Sequence, residues 1–366
     1  MNYKVSLAAI NVPPEAKTFV DDVMVSGNIG QNSQYFSRFE QMLCDYTGAK
    51  HCVVTSSGTM ADAVAIAAMK VKYNPLRVVV PALTFIAQPN SVFYNGLDIE
   101  FVDIKEDYTM NWDEAAKYPA ETTIYFPSDC MGRISSHDFP RERIVEDACE
   151  AFGSSLYGTK AGCRGELGTF SFFVSHTITT GEGGAIITDD AWLANLCRSL
   201  RSHGRASDTY AQDKFSFPYL GFNGKMTGPQ AAIGCGVMMH VEEYVSVRHA
   251  NYLYMQGLLG GFAQRSKESL IPHGYPLEFR SEMDRNDAMR NILDAGIECR
   301  KFFSCIPTME QAYKHKRQFL GRFSVAEHVA FTHLYVPCHQ NMNYDDVKYV
   351  AEVVNAQNGR IKKGSE

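Results

Sequence analysis

Short apolar runs rich in β-branched residues alternate with helical patterns through the first half of the chain. The apolar runs predict buried strands at 52–55, 77–81, 99–103, 123–127 and 144–146. Apolar residues at helical spacing predict helices at 34–47, 58–69 and 86–94. Because alternating strands and helices build parallel sheets covered on both faces, we predict an α/β fold with a mostly parallel sheet.

The second half of the chain has a different pattern. Two strands, 169–174 and 185–188, are predicted on either side of a glycine-rich turn, and helices are predicted at 190–201 and 229–259. There follow scattered short strands, a helix at 285–295, a strand at 332–336 and a helix at 344–355. We therefore predict a large domain over residues 1–245 and a smaller α+β domain over residues 246–366, connected by the long helix.

Composition and charge narrow the class of protein. The 366 residues are 45% hydrophobic and 21% charged, as in ordinary soluble proteins. The formal net charge is −6 without a long basic run, which argues against nucleic acid or an anionic membrane as the main partner. No apolar run approaches the roughly 20 residues that span a bilayer, and the first residues lack the pattern of a secretory signal. We expect a cytoplasmic protein.

The ten cysteines form no CxxC pair and no cluster with zinc-finger spacing. Several stand in apolar runs, such as Cys52 and Cys235. Free cysteine is among the most buried residue types, and disulfides are rare in cytosolic proteins. We therefore predict reduced thiols and no metal site.

A short polar segment, Ser56-Ser57-Gly58-Thr59, lies between a predicted strand and a predicted helix. Gly58 would let the backbone approach a ligand closely, and the start of the helix offers N–H groups that suit a phosphate. Thr59 would add a hydroxyl donor. The same residue types are also typical of an ordinary helix N-cap. The segment matches neither the P-loop of nucleoside triphosphatases nor the GxGxxG fingerprint of dinucleotide-binding folds.

An acidic pair, Glu146 and Asp147, stands at the end of a predicted buried strand. Ligands of open parallel sheets bind beyond the carboxyl ends of the strands, where an aspartate could hold a protonated ring nitrogen. A solvated carboxylate or a helix cap fits this position as well. Glu150 either shares the pocket or faces solvent.

The segment GTFSFFVSHTITTGEGGAI, residues 168–186, joins an apolar strand to a Ser-His-Thr sequence and then to a glycine-rich turn. Its glycines permit tight backbone geometry near a site. His176 is suited to acid–base chemistry because imidazole titrates near neutral pH. A structural role for this histidine is the alternative.

Motifs along most of the chain stand in a fixed order: SGNIG (26–30), TSSGTMA (55–61), VPALTF (80–85), VEDACEAFGS (145–154), the histidine segment (168–186), LRSHGR (200–205), GFNGKMTGPQAAIG (221–234), GIECRKF (296–302) and LYVPCH (334–339). Together they resemble the DegT/DnrJ/EryC1/StrS sugar aminotransferase family of pyridoxal-phosphate enzymes. The resemblance covers roughly residues 10 to 350. It implies fold type I of these enzymes, with a mostly parallel seven-stranded sheet in the large domain and a smaller C-terminal α+β domain.

The resemblance also implies how the cofactor is held. Gly58, Thr59 and Ser171 would bind its phosphate. Phe85 falls where an aromatic side chain stacks on the pyridine ring. Asp147 would pair with the ring nitrogen and keep it protonated, so that the ring absorbs electrons.

Two further positions take their roles from the same resemblance. Glu150 falls where many members have glutamine or histidine near the ring hydroxyl. Asn223 would reach the phosphate of the neighbouring subunit's cofactor, which implies a homodimer with shared active sites.

One position departs from the family pattern. Members that transfer amines carry a lysine in the histidine segment, and this lysine forms a Schiff base with the cofactor. Here His176 stands in its place. Imidazole cannot form that bond, so the cofactor would be held non-covalently and used as pyridoxamine phosphate. His176 could still move a proton at the C4′ carbon of the cofactor.

A small branch of the family resembles this situation, namely the 3-dehydratases of nucleotide-linked 4-keto-6-deoxysugars. One type acts on GDP-4-keto-6-deoxymannose, and another requires an iron–sulfur cluster. No close cysteine group stands between Cys197 and Cys235, which favours the cluster-free type. The resemblance implies that glutamate regenerates the aminated cofactor. Two alternatives stay open: an aminotransferase that uses Lys160 or Lys214, and a non-catalytic member of the family.

Overall fold

The computed structural model describes residues 3–8, 10–206, 216–303, 307–313, 315, 321–357 and 359–362. In these ranges the strands β1 to β13 are His51–Thr55, Arg77–Pro81, Asp98–Val102, Thr123–Tyr125, Val145–Asp147, Ser155–Leu156, Thr159–Lys160, Leu167–Ser171, Gly184–Thr188, Glu268–Ser269, Tyr275–Glu278, Arg300–Lys301 and His333–Val336. The helices α1 to α11 are Pro14–Ser26, Gln34–Thr47, Gly58–Tyr73, Ala87–Tyr94, Trp112–Ala115, Ala191–Arg201, Gly228–Met238, Val241–Leu259, Glu282–Asp294, Ser324–Thr332 and Tyr344–Asn355.

The central sheet has the strand order β1-β9-β8-β5-β4-β2-β3. Parallel bridges from Tyr125 to Ile144 and from Ser128 to Asp147 join its two halves at β4 and β5. Strand β9 runs antiparallel to β1 and β8, whereas the other neighbouring strands are parallel. The mostly parallel seven-stranded sheet expected from the sequence is confirmed.

The strands of this sheet are buried on both faces, as is typical of parallel sheets covered by helices. Val78, Val79 and Val80 of β2 are all inaccessible to solvent. Helix α3 packs on β8 and β9 with the apolar residues of its first three turns. This packing fixes the start of α3 at the edge where β5 and β8 end, so the residues after these strands meet.

The C-terminal part contains a three-stranded antiparallel sheet with the order β11-β13-β12. Helices α9 and α10 pack on this sheet, and α11 packs on α8. Residues near the N-terminus contact the C-terminal part of the chain. The N–H of Lys4 donates to the carbonyl of Gly296 at 2.7 Å, and Val5 forms a β-bridge with Ile297. The sequence-based boundary between residues 245 and 246 lies inside α8 and stays a prediction.

The prediction of a single helix at 229–259 is wrong, because the chain forms two helices there, α7 and α8. The N–H groups of Met239 and His240 donate to carbonyls three residues back, which tightens and ends α7. Glycines in α7 allow close packing on other helices: a Cβ atom on Gly236 would lie 2.5 Å from Ala16 Cα in α1. Helix α1 itself is not predicted from the sequence.

No helix in the described part of the chain is both long enough and apolar enough to cross a membrane.

Candidate active site

A cavity of about 740 Å³ lies at the carboxyl-terminal edge of the central sheet. That edge forms one wall, and residues of β12, β13 and the segment around His273 form the other. Seven of the eight site residues predicted from the sequence line this cavity: Gly58, Thr59, Phe85, Asp147, Glu150, Ser171 and His176. The fold therefore gathers into one place residues that are far apart in the sequence.

The start of α3 forms a tight cradle beside β8. The hydroxyl of Ser57 caps the helix and accepts a hydrogen bond from the N–H of Met60 at 3.1 Å. Gly58 and Thr59 occupy the first turn, where N–H groups lack acceptors within the helix. A Cβ atom on Gly58 would lie 2.6 Å from Ser171 Cβ, so only glycine fits. Ser57 is the N-cap of α3. The following turn borders the cavity, and its role in binding a phosphate stays a prediction.

Asp147 is the last residue of β5 and is 7% exposed. Its Oδ1 accepts a hydrogen bond from the N–H of Cys149 at 3.1 Å. Burial raises the pKa of Asp147 to about 6, although the hydrogen bonds from Cys149 oppose the rise. The carboxylate is thus short of compensating positive charge, which a protonated ring nitrogen would supply.

A second buried carboxyl group, Asp62 on α3, lies beside Asp147. Side-chain atoms of Asp62, Asp147 and Cys149 are all within 4.8 Å of one another. Asp62 Oδ1 accepts a hydrogen bond from Thr169 Oγ1 at 2.7 Å. Burial, and then the charge of Asp147, raise the pKa of Asp62 well above its usual range. The sequence does not predict that Asp62 lies beside Asp147. The one indication in the sequence is that Asp62 is an acidic residue inside an apolar helical stretch.

Glu150 shares the pocket rather than facing bulk solvent. Its Oε2 accepts a hydrogen bond from the N–H of Met131 at 2.8 Å. Burial raises the pKa of Glu150 to about 7, and the bond from Met131 opposes the rise. Glu150 therefore titrates near neutral pH inside the cavity.

His176 lies in the loop between β8 and β9. Its N–H donates to the carbonyl of Phe173 at 3.1 Å, which forms a turn. Its Nδ1 is buried and has no hydrogen-bond partner among the described residues. Burial lowers the pKa of His176 well below its ordinary value, and His273 and Arg248 lower it further. The shift favours the neutral form of the imidazole, which is the form that a proton acceptor must have.

Phe85 and Asn223 are both exposed at the surface of the chain. Phe85 lines the mouth of the cavity and is 60% exposed, which leaves its ring face available for stacking. Asn223 is exposed and does not line the cavity of its own chain. Its Oδ1 accepts a hydrogen bond from Lys225 Nζ at 2.5 Å. The role of Asn223 toward a neighbouring subunit stays a prediction.

The positions of the lysines bear on the aminotransferase alternative. Lys160 lies outside the cavity, with its Nζ 3.3 Å from the centre of the Tyr46 ring. Lys214 lies outside the described residues. Lys301 of β12 lines the cavity and is the single lysine among its described lining residues. The sequence gives no indication of Lys301, because it only becomes a neighbour of the site when β12 pairs with β13.

Two more residues of the far wall are placed by tertiary packing. Arg300 lines the cavity, and its Nη2 lies 3.1 Å from Glu298 Oε1. His273 lines it too, with its ring centroid 5.1 Å from that of His176. A lone histidine in the sequence IPHGYPL gives no signal of this proximity.

Comparisons with known proteins agree with the geometry. The model of the DegT/DnrJ/EryC1/StrS aminotransferase family matches residues 13–355. The GDP-perosamine synthase of Caulobacter vibrioides is 36% identical over 256 residues, which cover 67% of each chain. The GDP-4-keto-6-deoxy-D-mannose 3-dehydratase of Yersinia pseudotuberculosis is 26% identical over 311 residues, which cover 76% of this chain and 79% of the relative.

Solved structures show the same fold. The Escherichia coli GDP-4-keto-6-deoxy-D-mannose-3-dehydratase with bound hydrated PLP superimposes with a TM-score of 0.83. It is 23% identical to this chain, and the match covers 97% of this chain and 100% of that one. The chain therefore belongs to the DegT/DnrJ/EryC1/StrS aminotransferase family, a family of pyridoxal-phosphate-dependent, sugar-modifying enzymes.

Proposed function

We propose that this protein is a 3-dehydratase of a nucleotide-linked 4-keto-6-deoxyhexose and uses pyridoxamine phosphate. The observation that carries the proposal is the placement of His176. It lines the cavity at the sequence position where the family pattern has its lysine, and Lys160 lies elsewhere. An imidazole cannot replace the lysine amine in a covalent link to the cofactor, so the site favours proton transfer over ordinary amine transfer.

The residues present fit the cofactor. Gly58, Thr59 and Ser171 form a cradle that a phosphate would fill, because the first turn of α3 borders the cavity and has no room for a side chain at Gly58. Asp147 lacks the positive charge that a protonated pyridine nitrogen would provide. Glu150 would stand near the ring hydroxyl, and its pKa of about 7 lets it donate or accept a proton there.

When bound, the aminated cofactor would supply an amine that joins the C4 ketone of the sugar and a ring that holds the electrons released at C4′ until they leave with the C3 oxygen. His176 takes a proton from the C4′ carbon and provides one to the departing C3 oxygen. Asp147 keeps the ring nitrogen protonated, so that electrons can be accepted. Each turnover replaces the C3 hydroxyl of the sugar by hydrogen, releases one ammonia and consumes one glutamate, which leaves as 2-oxoglutarate.

We further propose that the enzyme is a homodimer with shared active sites and acts in the cytoplasm. The segment that precedes Asn223 exposes Phe217 and, almost completely, Leu220. Large apolar side chains so exposed are typical of a surface that a partner covers. The described cysteines are all free, which suits a reducing compartment.

An aminotransferase acting on the same class of sugar is the second candidate. The 36% identity to a GDP-perosamine synthase favours it, as does the presence of Lys301 in the cavity wall. The two candidates differ in their products. An aminotransferase places nitrogen on the sugar, whereas a 3-dehydratase removes an oxygen and releases ammonia.

The test incubates the protein with pyridoxal phosphate, glutamate and a panel of GDP-, CDP-, UDP- and dTDP-linked 4-keto-6-deoxysugars. We expect a GDP-linked substrate to lose one oxygen and to release one ammonia per turnover. Product masses identify the sugar, and a coupled ammonia assay counts the nitrogen. A sugar product that carries nitrogen, without free ammonia, would overturn the proposal in favour of amine transfer.

Borohydride reduction of the loaded protein followed by peptide mapping provides an independent check. We expect no lysine to become labelled, because His176 replaces the family's lysine. A label on Lys301 or Lys214 would support the aminotransferase. Binding of substrate without any turnover would support a non-catalytic member of the family.

A further inference from the structure

We propose that His273 is a second acid–base group of this site and exchanges the catalytic proton with His176. The inference rests on the proposed dehydration for its chemistry, but it is carried by a different set of contacts. His273 comes from the segment between β10 and β11, far in sequence from the histidine segment. No motif of the sequence assigns it a role.

The two imidazole rings face the same cavity as neighbours. Their centroids are 5.1 Å apart, and their planes are inclined by 51°. Both residues line the wall beside Phe173 and Tyr335. At this centroid separation one bridging oxygen of a water or a substrate can connect a nitrogen of one ring with a nitrogen of the other.

A buried network holds the two histidine segments at this spacing. Arg248 is 1% exposed, and its Nη1 donates to the carbonyl of Pro272 at 2.8 Å, next to His273. Its Nε and Nη2 donate to Gln340 Oε1 at 3.1 and 2.7 Å. Gln340 Nε2 in turn donates to the carbonyl of Thr177 at 3.4 Å, next to His176. The backbone on both sides of the pair is therefore tied to one arginine–glutamine unit.

The surroundings of the pair disfavour a lasting positive charge on either ring. A catalytic histidine commonly has a carboxylate on its second nitrogen, which stabilises the imidazolium ion. The buried Nδ1 of His176 has no such partner among the described residues. Burial, and then the charges of Arg248 and Arg300, lower the pKa of His273 to about 3. A full positive charge on one ring is thus costly, and a proton that moves between two rings remains there only briefly.

Other ionisable groups line the same cavity and belong in any account of the pair's pH dependence: Asp62, Asp147, Cys149, Glu150, Glu182, Arg300, Lys301, Glu310 and Tyr335. Of these, the carboxylates would stabilise an added proton and the cations would oppose it. The proton balance is closed. One proton leaves the C4′ carbon, is held by His176 and His273, and reaches the departing C3 oxygen.

The test measures hydrogen exchange at C4′ of bound pyridoxamine phosphate in deuterated water, without any sugar. We expect His273→Phe, which keeps a ring but cannot carry a proton, to slow this exchange about tenfold to a hundredfold, within the range of one acid–base group. We expect cofactor affinity to be unchanged and the pH profile of exchange to shift. Imidazole added to His273→Ala should restore exchange, which a merely structural role would not allow.

The matched control is His249→Gln, which removes a partly buried histidine of α8 that lies outside the cavity. Hydrogen exchange at C4′ in this variant should be as fast as in the unaltered protein. Exchange in His273→Phe within about twofold of that control, with the same pH profile, would overturn the inference. Because this assay needs no sugar, failure of the dehydration assay alone would overturn the proposed function and leave the exchange result standing.

Discussion

A single residue changes the chemistry that this site favours. His176 occupies the position at which the family pattern has a lysine, inside a cavity that is also lined by other residues predicted to bind the cofactor. These predicted residues include Gly58, Asp147 and Ser171. An imidazole there is able to move protons but not to form the covalent link that returns a cofactor after amine transfer.

Removal of His176 should separate catalysis from binding. We expect His176→Ala to lose about 10²–10⁴-fold in turnover, the contribution of one positioned acid–base group. Cofactor affinity should persist, because Gly58 and Asp147 are unchanged. Stopped-flow absorbance gives the rate, and fluorescence quenching gives the affinity. Near-normal turnover in this variant would exclude His176 as the proton carrier.

Asp147 should make cofactor binding depend on pH. In the cofactor-free protein its pKa is raised to about 6, so below that pH the carboxyl group is protonated and must lose its proton to pair with a protonated ring. We expect affinity for pyridoxal phosphate to rise as the pH increases through 6. Binding titrations with pyridoxal phosphate between about pH 5 and pH 8 measure how steeply the affinity changes with pH.

Asp147→Asn is the matched control for that titration. It should bind more weakly and should lose the part of the slope that belongs to the carboxyl group. The pH dependence of affinity that remains in this variant then reports the ionisation of the cofactor phosphate. Equal slopes in both proteins would show that Asp147 does not carry the pH dependence.

Among the elements, the junction of β1 and α3 is the most constrained part of the site. The helix begins at Gly58, directly beside the end of β8, because α3 packs along β8 and β9. The glycine therefore has a packing reason as well as a ligand-binding one.

Substitution of Gly58 tests this junction. We expect Gly58→Ala to lower both the stability, by about 1–3 kcal/mol, and the cofactor affinity, because its Cβ would overlap Ser171. Gly257→Ala in α8 is the control, since its Cβ meets nothing within 4 Å. That change should raise the stability by about 0.5–1 kcal/mol. Thermal unfolding measures both, and an equal effect of the two alanines would contradict the packing argument.

At the scale of the whole molecule, the proposal of shared sites has a direct test. His176→Ala and Asn223→Asp homodimers should each be impaired, the second because a carboxylate would repel the cofactor phosphate. Subunits of the two variants that reassociate at random should regain roughly a quarter of the normal activity, since half of the dimers contain one intact site of two. Activity is measured after mixing and dilution at limiting cofactor. No recovery in verified mixed dimers would argue against sharing.

Much of the fold follows from local patterns. The bounds of β2 and α11 agree with the sequence pattern at both ends, because β2 is a continuous valine run that ends at Pro81 and α11 has helical spacing of apolar residues after the Asn343 cap. The break between α7 and α8 does not follow, since both segments keep helical spacing. The two helices pack against different partners, α7 against α1 and α2 and α8 against α11, and these are tertiary contacts.

The sequence by itself determined the family, the class of fold and seven residues that line the cavity, because ordered motifs and the positions after parallel strands are local features of the chain. It also marked His176 as the departure from the family pattern. Only the tertiary structure placed Asp62 beside Asp147, and Lys301 and His273 in the opposite wall. Those proximities arise where distant segments pack together, and no spacing along the chain records them.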